Sequence, residues 1–109
     1  MANKVLLSVT FDADFTLEEP SEATLARAHA MLDQPGLQWK LWLRDEAGNR
    51  GGGVYLFDDR ETAEAWAKGE MTDSAQRFPW ITNLEYRAFE VREELSAITR
   101  GPLDVRGGE

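Results

Sequence analysis

The most constraining feature of this 109-residue sequence is a pair of extended runs, Leu37–Arg44 and Gly53–Phe57, with apolar side chains on both faces. Successive side chains of a strand point to opposite faces, so Trp39 falls on one face of the first run and Trp42 on the other. Strands that are apolar on both faces need cover on both faces. The sequence therefore predicts two neighbouring strands of a sheet buried on both sides, joined by the polar, glycine-rich turn at residues 45–52.

The rest of the chain supplies further strands and helices around this pair. Residues 4–11 and 83–91 alternate in polarity and are predicted to be the first and fourth strands. An alanine-rich helix is expected over 22–32, with Ser21 as its N-cap, and its apolar face is expected to comprise Leu25, Ala28, His29 and Leu32. A second helix, with Asp58 and Glu61 as a capping pair, is expected to pack Ala63, Trp66, Ala67 and Met71 on the sheet. Residues 72–79 fit either a short helical turn or a loop.

This order, β-α-β-β-α-β, predicts an α+β ferredoxin-like fold, a four-stranded antiparallel sheet with two helices on one face. The other face of the sheet remains to be covered. A second copy of the same sheet is the simplest cover, so we expect a homodimer through the open sheet face. Residues 1–99 are expected to form this single domain and residues 100–109 a flexible C-terminal tail.

Charge and composition exclude several classes of function. The net charge is −8 and the 12 basic residues are scattered singly, which argues against nucleic acid and anionic membrane surfaces as partners. Without cysteine, the chain has no thiolate nucleophile, zinc–thiolate site or iron–sulfur cluster. No apolar run approaches the roughly 20 residues of a membrane span. The N-terminus also lacks the pattern of a signal peptide, so we expect a cytoplasmic protein.

Two motifs in the aromatic region carry a resemblance to a known family. The first is P-G-x-x-W-K-x-W, from Pro35 to Trp42, and the second is G-G-x-Y-L-F, from Gly52 to Phe57. An alanine-rich helix and F-x-V-x-x-x-L-S-x-I, from Phe89 to Ile98, follow. Over roughly its C-terminal two-thirds the sequence resembles the YdhR-like small mono-oxygenases. The resemblance implies a dimeric α+β barrel, related in fold to antibiotic-biosynthesis mono-oxygenases that use molecular oxygen on polycyclic phenols or hydroquinones without metal or flavin.

The candidate site residues are one histidine and a set of aromatic side chains. His29 is the only side chain that ordinarily titrates near neutral pH, so it is the candidate general base for removing a phenolic proton. The alternative is a half-buried histidine at the edge of the core. A flat apolar pocket for an aromatic substrate is predicted from Trp39, Trp42, Tyr55, Phe57, Trp66 and Tyr86, for which the alternative is packing in the core or the dimer interface. Lys40, between the two tryptophans, is a cation–π partner or an anchor for an anionic substrate oxygen, and the alternative is an ion pair with an acidic residue on the adjacent strand or the partner subunit.

The resemblance, together with the aromatic residues, implies a cofactor-independent mono-oxygenase that acts on an aromatic or quinol-type small molecule, with no cofactor and no metal. Two alternatives remain open at this point. One is a non-catalytic module of the same fold that binds a small apolar or aromatic ligand. The other is an isomerase or dehydratase, because related barrels carry out such chemistry.

Overall fold

The fold is a four-stranded antiparallel sheet with helices packed on one face, in a computed structural model that describes residues 3–105. The strands are β1 (Val5–Ala13), β2 (Leu37–Asp45), β3 (Arg50–Phe57) and β4 (Ile81–Glu90). Their order in the sheet is β2-β3-β1-β4, with β1 and β3 at the centre. Because this is the ferredoxin-like order, the predicted fold class is confirmed.

Helices precede β2, join β3 to β4 and follow β4. They are α1 (Ser21–Met31), α2 (Arg60–Trp66), α3 (Thr72–Arg77) and α4 (Glu93–Ile98). A π-helical turn, Ala67–Met71, joins α2 directly to α3, so the ambiguous segment after Met71 begins as helix rather than loop. Among residues 3–105, no helix has both the length and the apolar character needed to cross a membrane.

The core lies between the central strands and the α2 side of the molecule. Val5, Leu7 and Phe57 on the sheet have almost no exposed surface, and they pack with Ala63 and Ala67 of the helical segment. Trp66 and Met71 are also buried, so the predicted packing face of the second helix is confirmed. Loss of a fully buried ring such as that of Phe57 ordinarily costs about 3–5 kcal/mol.

The two helix starts differ from the capping residues expected from the sequence. Ser21 is the first residue of α1, and Pro20 stands at the cap position without a side-chain hydrogen bond. At α2 the cap is Asp59, whose Oδ1 accepts a hydrogen bond from the Thr62 backbone N–H at 2.9 Å. The prediction of Asp58 was wrong by one residue, since both aspartates precede the same helix and only the backbone geometry selects between them.

The expected packing face of α1 was wrong for Leu25, His29 and Leu32, and only Ala28 of the four residues is half-buried. Leu25 and Leu32 are 61% and 76% exposed, and His29 is also exposed. The half-buried face instead carries Thr24, Arg27, Ala28 and Met31, and α1 has no fully buried residue. An arginine turned inward was not expected from hydrophobic periodicity, because that method assumes that charge marks the solvent face.

The turn between β2 and β3 is shorter than predicted. β3 begins at Arg50, so Gly51 and Gly52 lie within the strand and not in the turn, next to Gly53, which was expected there. The one residue of this turn with positive φ is Asn49, at 55°. Asparagine tolerates this left-handed conformation better than most residues, so the turn does not require a glycine. The three glycines lie in β3 instead.

The C-terminal residues contact the face of the sheet opposite the helices. The Trp39 indole N–H donates a hydrogen bond of 2.6 Å to the Pro102 carbonyl oxygen, and the Val105 backbone N–H donates to Gln38 Oε1. Residues 106–109 of the predicted tail lie outside the described residues, and the flexibility of the tail stays a prediction. Residues 101–105 thus cover one end of the outer face beside β2.

Candidate functional site

A cavity of about 480 Å³ lies between the helix-side face of the sheet and α1, the π-turn and α3. Its walls are largely aromatic, with rings from Phe11, Phe15, Trp42, Tyr55, Trp66, Phe78 and Trp80. This size and composition are typical of pockets that bind small molecules through a few polar groups. The cavity is therefore the candidate functional site.

Glycines of β3 create the floor of this cavity. Gly51 and Gly53 share the helix-side face with Tyr55, because alternate residues of a strand point the same way. A Cβ at Gly53 would lie 3.1 Å from Lys40 Cε and 3.1 Å from the Tyr55 ring, and one at Gly51 would lie 2.7 Å from the Phe11 ring. Side chains here would occupy the space between β2 and β1, so the glycines keep the cavity open.

Lys40 extends from β2 into the cavity. Its Nζ lies 3.3 Å from the centroid of the Trp42 ring and 4.7 Å from that of Tyr55. Within the described part of the chain Lys40 forms no ion pair, so the predicted pairing with an acidic side chain is not found within the subunit. Burial, and secondarily the positive charge of Arg27, lower the pKa of Lys40 to about 7.

A second cation, Arg27, reaches the same cavity from α1. Its guanidinium carbon lies 5.6 Å from the centroid of the Trp42 ring and 4.9 Å from that of Phe78. One of its terminal nitrogens is paired with Glu19, whose other carboxylate oxygen accepts a 3.0 Å hydrogen bond from the Trp80 indole. Arg27 Nε is buried and has no hydrogen-bond acceptor among the described residues.

Tyr55 and Trp66 form the wall opposite α1. Their ring centroids are 4.5 Å apart with an angle of 43° between the planes, and Phe57 packs behind them at 6.2 Å from Trp66. Burial raises the pKa of the Tyr55 hydroxyl well above its ordinary value, so this phenol stays protonated and is a hydrogen-bond donor at neutral pH. Trp66 reaches the wall because the small side chains Ala63 and Ala67 bring the helix close to the sheet.

The structure brings three of the predicted substrate-binding residues together. Trp42, Tyr55 and Trp66 line the cavity. Phe57 lies in the core behind it, and Tyr86 is 38% exposed on the edge strand, away from the lining. The strand register places Trp39 on the other face of β2, and a smaller groove of about 220 Å³ is lined by both tryptophans and by Met31 of α1. The prediction that the two tryptophans lie on different faces of β2 is thus confirmed.

His29 does not share the cavity with these residues. It is exposed on the outer side of α1 and is not part of the lining, so the geometry gives no support to its predicted role as a base. Among residues 3–105, no group of three or more His, Cys, Asp or Glu side chains is placed to hold a metal ion. The polar chemistry of the cavity centres instead on Lys40, Arg27 and Tyr55.

The sequence interpretation missed Arg27, Glu19 and Trp80, which shape one end of the cavity. Trp80 stands alone after Pro79 and is 7% exposed. Its edge meets Phe11 at a centroid distance of 5.7 Å. One signal was present: Thr24, Arg27 and Met31 recur at helical spacing and form a second stripe on α1. Only the tertiary structure shows that this stripe, rather than the leucine stripe, faces the sheet.

Comparisons with known proteins agree with this fold. The family profile described as "Putative mono-oxygenase ydhR" matches residues 6–102. No curated protein sequence matches the chain significantly. Among solved structures, SnoaB, a cofactor-independent oxygenase from Streptomyces nogalater, is 22% identical with a TM-score of 0.59, over 84% of this chain and 96% of SnoaB.

Two further structures have the same fold. MupZ from Pseudomonas fluorescens is 19% identical with a TM-score of 0.63, over 94% of this chain and 79% of MupZ. The heme-degrading protein MhuD from Mycobacterium tuberculosis is 24% identical with a TM-score of 0.58, over 81% of this chain and 95% of MhuD. At these identities the similarity shows a shared fold, and the chemistry has to be argued from the cavity.

Proposed function

Because this chain belongs to the family described as "Putative mono-oxygenase ydhR", we propose that it is a cofactor-independent mono-oxygenase of an aromatic or quinol-type small molecule. The observation that carries the proposal is the aromatic cavity of about 480 Å³ with Lys40 and Arg27 in its wall. Flat rings such as Trp42 and Trp66 suit a planar aromatic substrate, and the two cations suit an electron-rich substrate oxygen.

The proposed reaction balances without a resident cofactor. A phenol with a free ring position, such as 1-naphthol, reacts with molecular oxygen to give the quinone and water. One oxygen atom forms a new C=O bond, and the other leaves as water with the hydrogens of the substrate O–H and C–H. The substrate supplies all four electrons that reduce the oxygen molecule. The protein's part is to bind the substrate, exclude bulk water and manage the protons.

Oxygen uptake tests this function directly. The purified protein is incubated in chelator-treated buffer with a panel of naphthols, hydroquinones and anthrones, and oxygen consumption is followed with an electrode. Labelled oxygen gas is expected to place one heavy atom in the quinone product. Heat-denatured protein gives the rate of spontaneous oxidation. Tight binding without oxygen uptake above that rate would support the non-catalytic binding module, and product formation without oxygen would support an isomerase or dehydratase.

The proposal includes a homodimer through the outer face of the sheet. Leu41, Leu43 and Phe89 of that face are 55%, 46% and 50% exposed, which leaves an apolar surface beyond the part that residues 101–105 cover. A second copy packed face to face would bury these side chains. The same proposal includes a single domain over residues 1–99, which limited proteolysis checks. It also includes a cytoplasmic location, with which the absence of cysteine is compatible and which cell fractionation checks.

A further inference from the structure

The burial of the Lys40 amine in the cavity is not explained by a contribution to the stability of the fold. An amine placed between aromatic rings loses hydration, and a partner carboxylate ordinarily compensates for that loss. Lys40 has no such partner among residues 3–105, and the nearest charge that lowers its pKa is another cation, Arg27. Buried ionisable groups that line a cavity without a structural partner are frequent at functional sites.

The surroundings of Lys40 fit proton transfer to and from a ligand. Its Nζ lies against Trp42 and Tyr55, and the missing side chain at Gly53 leaves space beside it. Other charged or titratable side chains line the cavity: Glu18 ahead of α1, Arg27 on α1, Asp33 after it, Arg44 on β2, Tyr55 on β3 and Glu70 in the π-turn. Glu18 is paired with Arg44 at 3.2 Å, so that carboxylate is already engaged.

Arg27 complements Lys40 at the same ring. Both cations lie near Trp42, so a ligand oxygen between them meets a neutral or charged amine on one side and a guanidinium on the other. Arginine keeps its charge at any physiological pH and therefore cannot accept a proton, whereas a lysine in this environment can. The Arg27 guanidinium, which lines the cavity, supplies a fixed positive charge for a developing anion.

We propose that Lys40 is the general base of the cavity and that the substrate is an aromatic compound with an ionisable hydroxyl group, whose anion Arg27 binds. This inference rests on the proposed oxygenase function for the later steps. The neutral amine of Lys40 takes the hydroxyl proton, and the resulting phenolate donates electrons to molecular oxygen more readily than the phenol does.

The remaining steps conserve protons and electrons. A carbon–oxygen bond forms at a ring carbon that carries hydrogen, and the Lys40 ammonium protonates the peroxide. Lys40 then takes the proton of that ring carbon while the O–O bond breaks, the C–H electrons form C=O, and hydroxide leaves. Transfer of the last proton from Lys40 to hydroxide gives water and restores the neutral amine.

The pKa of Lys40 at about 7 suits this cycle, because a base is most effective when its pKa lies near the working pH. An ordinary lysine, with a pKa of 10.5, is almost entirely protonated at neutral pH. Phenols titrate near about 10, so transfer to Lys40 is unfavourable in water, and the charge of Arg27 is needed to stabilise the phenolate.

Two substitutions test whether Lys40 acts as a general base or only as a positive charge. Lys40→Met removes both functions at nearly constant volume, and Lys40→Arg keeps the charge but cannot accept a proton. We expect kcat of both variants to fall at least about 100-fold. In the wild type kcat/KM is expected to fall as the pH drops below about 7, and this pH dependence is expected to be absent in both variants. Lys68→Met, at an exposed lysine, is the matched control and is expected to retain full activity.

Anaerobic binding of 4-nitrophenol tests the anion site without any turnover. Its anion absorbs in the visible range, so titration shows whether the bound phenol has a lowered pKa. We expect this lowering in the wild type and in Lys40→Arg, a smaller effect in Lys40→Met, and a loss in Arg27→Met. Equal pKa values for free and bound 4-nitrophenol in the wild type would overturn the anion site.

Lysine labelling keeps the inference testable if the variants do not fold. Acetylation of the intact wild type, read by peptide mass spectrometry, is expected to follow a midpoint near pH 7 at Lys40, far below the ordinary lysine pKa of 10.5. A Lys40 midpoint near 10, full turnover in Lys40→Arg, or a borohydride-trapped imine at Lys40 would each overturn the general base. A lowered Lys40 pKa and phenolate binding without oxygen uptake would instead reject the oxygenase function alone.

Discussion

At the scale of single residues, the glycines show how one residue type serves different purposes. A Cβ at Gly53 would meet only side-chain atoms of Lys40 and Tyr55, which can shift slightly. A Cβ at Gly52 would lie 2.2 Å from the Val9 carbonyl oxygen, which belongs to the backbone of β1. Gly69 in the π-turn has open space around its Cβ position. Gly53 therefore keeps space open in the cavity, whereas Gly52 allows the close approach of β1 and β3.

Alanine at these three positions is expected to give three different results in denaturant titrations. Gly52→Ala destabilises by more than about 2 kcal/mol, because β1 and β3 must move apart. Gly69→Ala stabilises by about 0.5–1 kcal/mol, because it lowers the entropy of the unfolded chain in a helical position. Gly53→Ala costs at most about 1 kcal/mol but weakens ligand binding. Equal losses at Gly52 and Gly69 would contradict the close approach of the two strands.

Lys40 is also expected to make stability depend on pH. Below pH 7 the folded protein carries the buried charge at a cost, and from pH 7 to about 10.5 that cost is relieved as the folded amine deprotonates before the unfolded one. Lys40→Met is therefore expected to stabilise by on the order of 3 kcal/mol below pH 7, with the gain shrinking as the pH rises. Urea denaturation at pH 6 and pH 9 measures this, and a gain independent of pH would contradict it.

At the scale of secondary-structure elements, α1 is weakly held in the cavity wall. It has no buried residue, and its attachment depends on Arg27, Met31 and the carboxylate of Glu19. Glu19 also accepts a 2.9 Å hydrogen bond from the Thr24 hydroxyl and one from the Trp80 indole. A single carboxylate thus joins α1 to the start of β4.

Glu19→Gln is expected to loosen α1 without unfolding the sheet. Loss of the charged partner of Arg27 costs about 1.5–3 kcal/mol locally, so amide hydrogen exchange over residues 21–31 becomes roughly 10-fold to 100-fold faster, while β1 and β3 keep their protection. Glu64→Gln, in the exposed pairs with Arg60 and Lys68, is the control and changes exchange little. Uniform acceleration through the whole chain would show that α1 is not a separate unit.

Acid is expected to have a similar effect in the wild type. Burial acts to raise the pKa of Glu19, but the hydrogen bonds from Arg27 and Thr24 lower it more, and the net pKa lies below 4.5. The stabilisation is complete above the unfolded pKa and is lost as the pH falls through the folded value. Exchange in α1, corrected for the intrinsic rate, is expected to accelerate below about pH 4, and Glu19→Gln removes this dependence.

At the scale of the whole molecule, the chain has a larger radius of gyration than its length suggests. Its radius of gyration is 14.5 Å, whereas a compact domain of this size has about 13 Å. The molecule measures 42, 26 and 22 Å along its principal axes, so its elongated shape accounts for the larger radius. A second copy packed on the outer face would complete the burial that one chain leaves unfinished.

The dimer is expected to depend on the outer face and not on the outer stripe of α1. Leu41→Glu places a charge on that face and is expected to give a monomer in sedimentation velocity at micromolar concentration, because a buried unpaired charge is strongly unfavourable. Leu25→Glu, at a residue that is 61% exposed on α1, is the matched control and leaves the dimer intact. Dissociation by Leu25→Glu alone would place the interface on α1.

The sequence by itself determined the order of the strands and of the two main helices, and the division of faces in β2 and α2. The alternation in β2 placed Trp39 opposite Trp42, and the small residues beside Trp66 identified the packed face of α2. These predictions succeed because period-2 and period-3.6 patterns depend on neighbours along the chain. They identify which side chains share a face, but not how close two faces come.

Only the tertiary structure decided where the polar residues of the cavity lie. His29 and Arg27 are two positions apart on α1, yet one is exposed and the other reaches Trp42. The rotation of α1 about its axis depends on Glu19 and Trp80, which are 61 residues apart in the chain. The lowered pKa of Lys40 likewise arises from burial and from Arg27 on another element. Long-range contacts set both properties, and no local pattern of residues encodes them.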